Sequence, residues 1–79
     1  MHKDGSDVAK AAEARLRTSP YSALRSVSCE YDDGMLILHG RLSSYYNKQL
    51  AQETVSGVEG VVQVVNRTEV VIPPSLEAE

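Results

Sequence analysis

Residues suited to acid–base or nucleophilic chemistry are few in this chain and scattered along it. His39, Asp32 and a serine can be combined on paper into a base, an orienting acid and a nucleophile. Ser28 and His39, however, are expected to be simple neighbours across a hairpin, with no acidic residue placed to orient the histidine. A chain of 79 residues also has little volume for a deep substrate cleft. The sequence therefore predicts a protein that is not an enzyme.

The residues that could bind a metal are equally sparse. Asp32 and Asp33 precede Gly34, but no further oxygen ligands follow at the spacing of a calcium loop. Cys29 is the single cysteine, so it can form no internal disulfide and supplies too little of a zinc site. We expect no metal and no cofactor. We interpret the aspartates as turn residues and Cys29 as a small apolar core residue.

One short segment of the sequence could indicate nucleic-acid binding. Gly57-Val58-Glu59-Gly60 is similar to the GXXG loop with which KH domains clamp a nucleic-acid backbone. That loop joins two helices and carries basic residues, whereas this segment leads from a helix to a strand and carries Glu59. Residues 8–73 contain seven basic and seven acidic side chains, and the net charge of −3 comes from the two ends. Because the residues provide no basic surface, KH-like nucleic-acid binding is the least favoured of the alternative functions.

A second group of residues suits a membrane surface. Arg41, Tyr45 and Lys48 combine an amphipathic ring with positive charge near the start of a predicted helix. Tyr46 lies on the stripe that we expect to face the core, which leaves Tyr45 as the freer ring. These residues predict peripheral binding to a phospholipid surface as one alternative. Because the charge of the body is balanced, such binding would be weak.

Two amphipathic helices are predicted. The first runs from about Ser6 to Thr18, where Val8, Ala12 and Leu16 recur on one stripe. The second runs from Ser43 or Ser44 to Ser56 and is closed by Gly57. Its predicted buried stripe comprises Tyr46, Leu50, Ala51 and Thr54.

Between the helices, residues 27–39 predict a β-hairpin. Asp33-Gly34 separates two runs of alternating or apolar residues, and Asp-Gly is a strong signal for a two-residue type I′ turn. That turn sets the pairing of the strands, with Tyr31 opposite Leu36 and Ser28 opposite His39. The face that carries Leu36 and Leu38 should pack against the helices.

Residues 61–72 predict one long final strand, rich in β-branched residues and ended by Pro73-Pro74. The face of this strand that should pack on the core carries Val64, Asn66, Thr68, Val70 and Ile72. The fold class is therefore α+β, in the order α-β-β-α-β, with a three-stranded sheet covered on one face by two helices. The pattern does not decide which neighbour the last strand takes. We expect a domain over residues 8–72, with flexible tails at 1–7 and 73–79.

Two helices leave the other face of such a sheet uncovered. On that face we expect several apolar side chains among polar ones, which is typical of an interaction surface. The predicted binding residues there are Met35, Ile37, His39, Val65, Arg67 and Val71.

Taken together, residues 8–72 resemble a BON domain, a small module first noted in a bacterial osmotically induced protein and in nodulation proteins. The resemblance is carried by the alternation of Gly34, Leu36, Leu38, Gly40 and Leu42, which matches the family's Gly-x-Val-x-Leu-x-Gly-x-Val pattern. Leu50-Ala51 and the run from Val58-Glu59-Gly60-Val61 to Val64-Val65-Asn66 add to it. Leu36 and Leu42 replace a usual valine, and Thr68 stands where an aliphatic residue is common.

The resemblance implies a non-catalytic binding module. Family members usually occur in the bacterial cell envelope or periplasm or in larger membrane-associated proteins, and are thought to bind phospholipid surfaces or other envelope components. We therefore expect a protein partner or a neighbouring domain, with a phospholipid surface or a weak homo-oligomer as alternatives. The segment MHKDGSDVAK lacks the apolar stretch of an export signal, so we expect either a piece of a longer polypeptide or a protein inside the cell.

Overall fold

The computed structural model describes residues 5–72, with side chains from Asp7 onward. Residues 1–4 of the predicted N-terminal tail and the whole predicted tail 73–79 lie outside the described residues. In chain order the elements are α1 (Gly5–Thr18), a short 3₁₀ helix (Ser22–Ser26), β1 (Ser28–Asp32), β2 (Met35–His39), β3 (Arg41–Leu42), α2 (Tyr45–Val55), β4 (Gln63–Asn66) and β5 (Glu69–Val70).

Helix α1 forms as its pattern predicts. Val8, Ala12 and Leu16 are all buried, so the four-residue stripe faces the core. Asp7 lies in its first turn and Arg15 and Arg17 in its last, which is the arrangement that the helix dipole favours. The helix begins at Gly5, three residues before the predicted domain boundary at residue 8.

The hairpin of β1 and β2 has the predicted register. Tyr31 pairs with Leu36 and Ser28 with His39 in an antiparallel ladder. Asp33 and Gly34 have φ angles of 47° and 86°, so both central residues of the turn are left-handed, as a type I′ turn requires. The Asp-Gly turn therefore determines which side chains of the hairpin face the helices.

The strand order, which the sequence pattern left undecided, is β1-β2-β4, with β2 in the middle. β4 runs parallel to β2, and Leu36 pairs with Val64 and Ile37 with Val65. Within residues 5–72, helices α1 and α2 pack on one face of this three-stranded sheet. The predicted α+β class is confirmed. The buried core consists of Val8, Ala12, Leu16, Leu24, Val27, Leu36, Leu38, Leu42, Ala51, Val55 and Val58.

The prediction of a single strand over residues 61–72 is wrong. The segment divides into β4 and β5, and β5 pairs with β3 in a separate two-stranded sheet. The side-chain Oδ1 of Asn66 accepts hydrogen bonds from the Thr68 backbone N–H at 3.2 Å and from the Thr68 hydroxyl at 2.6 Å. Such local side-chain bonds compete with the backbone ladder, and they lie at the two-residue gap between β4 and β5. Across this gap the backbone keeps its parallel register, since Arg67 and Glu69 donate to Leu38 and Gly40.

Two residues that we placed in the core are exposed instead. Tyr46 is 64% exposed, because α2 buries Ala51 and Val55 and thereby moves Tyr46 to the flank of the helix. Ile72 is 44% exposed, because β5 ends at Val70 and the alternation of faces does not continue to residue 72. Both errors follow from extending a periodic pattern past the point where the element turns away from the core.

Candidate docking face

The face of the three-stranded sheet opposite the helices is apolar at its centre. Ile37 lies in the middle strand and pairs with Glu30 on one side and Val65 on the other. Met35 lies two residues before Ile37, and His39 two residues after it, on the same face. We call this surface the open face. It comprises Glu30, Met35, Ile37, His39 and Val65.

The burial of β2 alternates between its two faces. Leu36 and Leu38 have no exposed surface, whereas Met35, Ile37 and His39 are half-buried. All five residues belong to the same strand of the same sheet. The difference in burial therefore comes from the helices, which cover only one face. The open face is therefore accessible along the whole length of β2.

Polar groups border the apolar centre on one side. His39 Nε2 lies 2.8 Å from Glu30 Oε1, and both side chains are partly exposed. Arg67 follows β4 directly and is exposed, and its backbone N–H donates to the Leu38 carbonyl at 2.8 Å. The arrangement resembles a small interface patch, in which an apolar centre is surrounded by polar residues.

Val71 lies apart from this face. It follows β5 and is 47% exposed, and its N–H donates to Leu42 of β3. The Val71 N–H continues the series of bonds that Arg67 and Glu69 make to the β2–β3 side, so Val71 lies on the same side of its strand as Val65. It lies beyond the end of the three-stranded sheet, beside β3, and its part in binding stays a prediction. The other five residues predicted for this surface lie on the open face or, for Arg67, directly after β4 at its border.

The three residues predicted to contact lipid are not all together. Tyr45 and Lys48 line an open groove of about 520 Å³ along α2, together with Gln49, Gln52, Glu53 and Asn66. Arg41 lies on β3, where its Nε is 3.6 Å from Glu69 Oε1 in an exposed ion pair. The groove is therefore lined mostly by polar side chains, and it contains the acidic Glu53 as well as the basic Lys48.

Three tyrosines have exposed side chains, and of these the sequence analysis singled out only Tyr45 as freely exposed. Tyr45 is 73% exposed, Tyr46 64% and Tyr21 44%. A hydrogen bond between the side chains of Tyr46 and Tyr21 raises the pKa of Tyr46 above its ordinary value. The aromatic pair of Tyr46 and Tyr21 could not be foreseen, since the pattern placed Tyr46 in the core.

Asn66 is the most important residue that the sequence analysis overlooked. Its Nδ2 donates to the Lys48 carbonyl of α2 at 2.8 Å, while its Oδ1 accepts from Thr68. One side chain thus holds α2 against β4 and also ends β4. A single asparagine within a run of β-branched residues was the available signal.

Cys29 lies on the covered face and is a poor nucleophile. Its burial, and then the nearby negative charge of Glu13, raise the pKa of the thiol to about 12. Among residues 5–72, no three His, Cys, Asp or Glu side chains lie close enough to hold a metal ion. Over the same residues, neither helix combines the length and the apolar character needed to cross a bilayer.

A comparison with protein-family models gives one match, to the BON domain, over residues 4–72. The chain belongs to the BON domain family. The match covers the whole described fold, so the resemblance drawn from Gly34, Gly40 and the hairpin is confirmed. A search of curated proteins found no match.

The BON domain is a non-catalytic binding module. The geometry of this BON domain agrees with that character, because apolar side chains lie at the centre of an accessible sheet face and its groove is open.

Proposed function

We propose that this BON domain docks onto a protein, either an envelope or membrane-associated protein or a neighbouring domain, through the open face. The observation that carries the proposal is the position of Ile37. It lies in the central strand, flanked by Val65, on the face that α1 and α2 leave uncovered. Burying such a centre under a partner removes apolar surface from water.

The charge of the open face favours a protein partner over a polyanion. Glu30 and His39 form a close pair, and Arg67 at the border is the neighbouring cation. Mixed charges at the rim of an apolar centre give orientation and specificity to protein docking. They provide no continuous positive surface for anionic lipid headgroups or nucleic acid.

Photo-crosslinking from the open face tests this proposal. A benzophenone side chain at position 37 should give a defined protein adduct in cells that produce the domain, whereas the same group at position 71 should not. Val71 is a matched control, because it is an exposed apolar residue outside the open face.

Competition identifies a specific adduct. An excess of unlabelled protein carrying Val71→Lys should suppress the adduct, and an excess of the Ile37→Lys variant should not. Equal suppression by both variants, or equal crosslinking from positions 37 and 71, contradicts docking through the open face.

The exposed tyrosines at the start of α2 support a second candidate, peripheral binding to a phospholipid surface. Tyr45 and Tyr46 are the two most exposed tyrosines of the described chain, and amphipathic rings suit the bilayer interface. Arg41 forms an ion pair with Glu69, and the groove that contains Lys48 also contains Glu53, so little net positive charge is available to headgroups.

Vesicle flotation separates the two candidates. We expect no co-flotation with phosphatidylcholine vesicles, with or without phosphatidylglycerol. Flotation that is lost in the Tyr45→Ala/Tyr46→Ala variant and retained in Ile37→Lys would favour the lipid surface instead.

A further inference from the structure

The two edges of the three-stranded sheet differ in how they are protected. At the β1 edge, the Cys29 backbone N–H donates to Glu13 Oε2 of α1 at 2.9 Å, so a helix side chain occupies this edge. At the β4 edge, Gln63 and Arg67 donate to the Gly34 and Leu38 carbonyls of the β2 side, at 3.1 and 2.8 Å. Since bonding alternates along a parallel strand, the backbone groups of Val64 and Asn66 point away from β2.

β4 has few of the features that prevent edge pairing. In the described sheet it is the last strand, and its sequence Gln63-Val64-Val65-Asn66 contains no proline, lysine or acidic residue. Natural sheets usually protect an edge with such residues, because an unprotected strand offers its backbone groups to another chain. The β4 edge is therefore suited to receive a strand.

We infer that a second copy of this chain pairs with the β4 edge, antiparallel, through a two-fold axis at Val65. In this register the backbone of Val64 in each copy forms hydrogen bonds with the backbone of Asn66 in the other. The two Val65 residues lie directly opposite each other. The result is a continuous six-stranded sheet. A two-fold axis is the commonest symmetry of homodimers, and it requires a surface that is complementary to itself.

The groove beside β4 provides that complementarity. Lys48 and Glu53 both line it and are five residues apart on α2, toward opposite ends of the stripe. The two-fold axis makes the α2 helices antiparallel, so Lys48 of one copy faces Glu53 of the other, twice. Net charge does not oppose the contact, because residues 8–73 hold equal numbers of basic and acidic side chains.

The dimer leaves the proposed docking function intact and extends it. A two-fold axis perpendicular to the sheet keeps both pairs of helices on one side, so the two open faces become one surface across Val65. The inference does not depend on the open face binding a partner, since its contacts are the β4 backbone and the α2 groove.

A charge-swap experiment tests the arrangement. Sedimentation equilibrium should show reversible dimerisation of the unmodified chain at concentrations up to about 1 mM. Lys48→Glu and Glu53→Lys each place two like charges opposite each other at both symmetry-related contacts of the dimer. Each should therefore weaken dimerisation by about tenfold or more. An equimolar mixture of the two variants should form a heterodimer, because every acidic residue then faces a basic one.

The mixture distinguishes repulsion between two copies from destabilisation of a single copy by the substitution. Residues five apart do not face each other along a helix. Positions 48 and 53 are therefore not expected to interact within one α2, and the regained association must come from contacts between copies. A chain that stays monomeric, variants that dimerise as well as the unmodified chain, or a mixture that does not regain association would each overturn the inference.

Disulfide formation tests the register independently. In a Cys29→Ser background, Val65→Cys places two thiols across a pair whose Cα atoms are about 4.5 Å apart, within disulfide range. With oxidised glutathione it should form a covalent dimer, whereas Ile37→Cys, on the same face but one strand away, should not. Preferential crosslinking through position 37 would overturn the edge pairing and indicate contact between open faces.

Discussion

The two faces of β2 present the same kind of side chain to different surroundings. Leu38 has no exposed surface beneath the helices, while Ile37, its neighbour in the chain, is half-buried on the open face. Both are aliphatic and both belong to the central strand. Helix packing alone therefore decides which face of the strand is buried in the core and which stays accessible.

The largest effect should come from the covered face. Leu38→Ala removes fully buried methyl groups and leaves a cavity, so it should lower the free energy of unfolding by about 2–5 kcal/mol. Ile37→Ala should lower it by about 1 kcal/mol or less, because that side chain is already partly in water. Urea denaturation of both variants gives the comparison. Equal losses would mean that the open face is as well packed as the core.

The next effect concerns the residue that joins α2 to the covered side of the sheet. Asn66→Ala removes the bond to the Lys48 carbonyl and leaves the buried Thr68 hydroxyl without its acceptor, so it should cost about 1–3 kcal/mol. In the double variant Asn66→Ala/Thr68→Val the loss should be smaller than the sum of the two single losses. Strict additivity would show that the two side chains act separately.

On the covered face, a pH effect on stability should come from Cys29. The pKa of Cys29 is about 12 in the fold, against an ordinary value of 9.0. Since the folded state holds the thiol proton more tightly, this contribution to stability is complete below pH 9 and is lost as the pH rises toward 12. Cys29→Ser should therefore lose less stability than the unmodified chain between these pH values. If the two proteins lost stability equally as the pH rises, the result would contradict the burial of the thiol.

The smallest effect on stability should come from a charge on the open face. Ile37→Lys should change the free energy of unfolding by only about 0.5 kcal/mol, as for other surface substitutions, because the lysine amine reaches water. A loss as large as that of Leu38→Ala would show that the open face belongs to the core.

The sequence predicted this contrast because it depends on local chemistry. Asp33-Gly34 determined the register of the hairpin, and the register determined that Leu36 and Leu38 face the helices. The parallel neighbour of β2 could not be predicted, since it depends on how α2 crosses the sheet. The break at Asn66 was missed for a related reason, because a side chain that bonds to α2 acts through tertiary structure.

The candidate site was predicted in a similar way. Met35, Ile37, His39 and Val65 were placed together by strand alternation, which holds as long as the strands do. The same alternation places Val71 on the side of Val65, but β4 ends at Asn66, so Val71 lies beyond the three-stranded sheet. Tyr46 was misplaced because periodicity gives the stripe of a helix but not how far the sheet extends beneath it.

The most direct test of the docking proposal is hydroxyl-radical footprinting of the domain in the cells that produce it, compared with the purified protein. Met35 reports on the open face, because its sulfur oxidises readily, and Tyr45 reports on the distant start of α2. The account predicts that Met35 is protected in cells while Tyr45 is oxidised as in the purified protein. Equal oxidation of Met35 in both samples, or protection of Tyr45 alone, would contradict it.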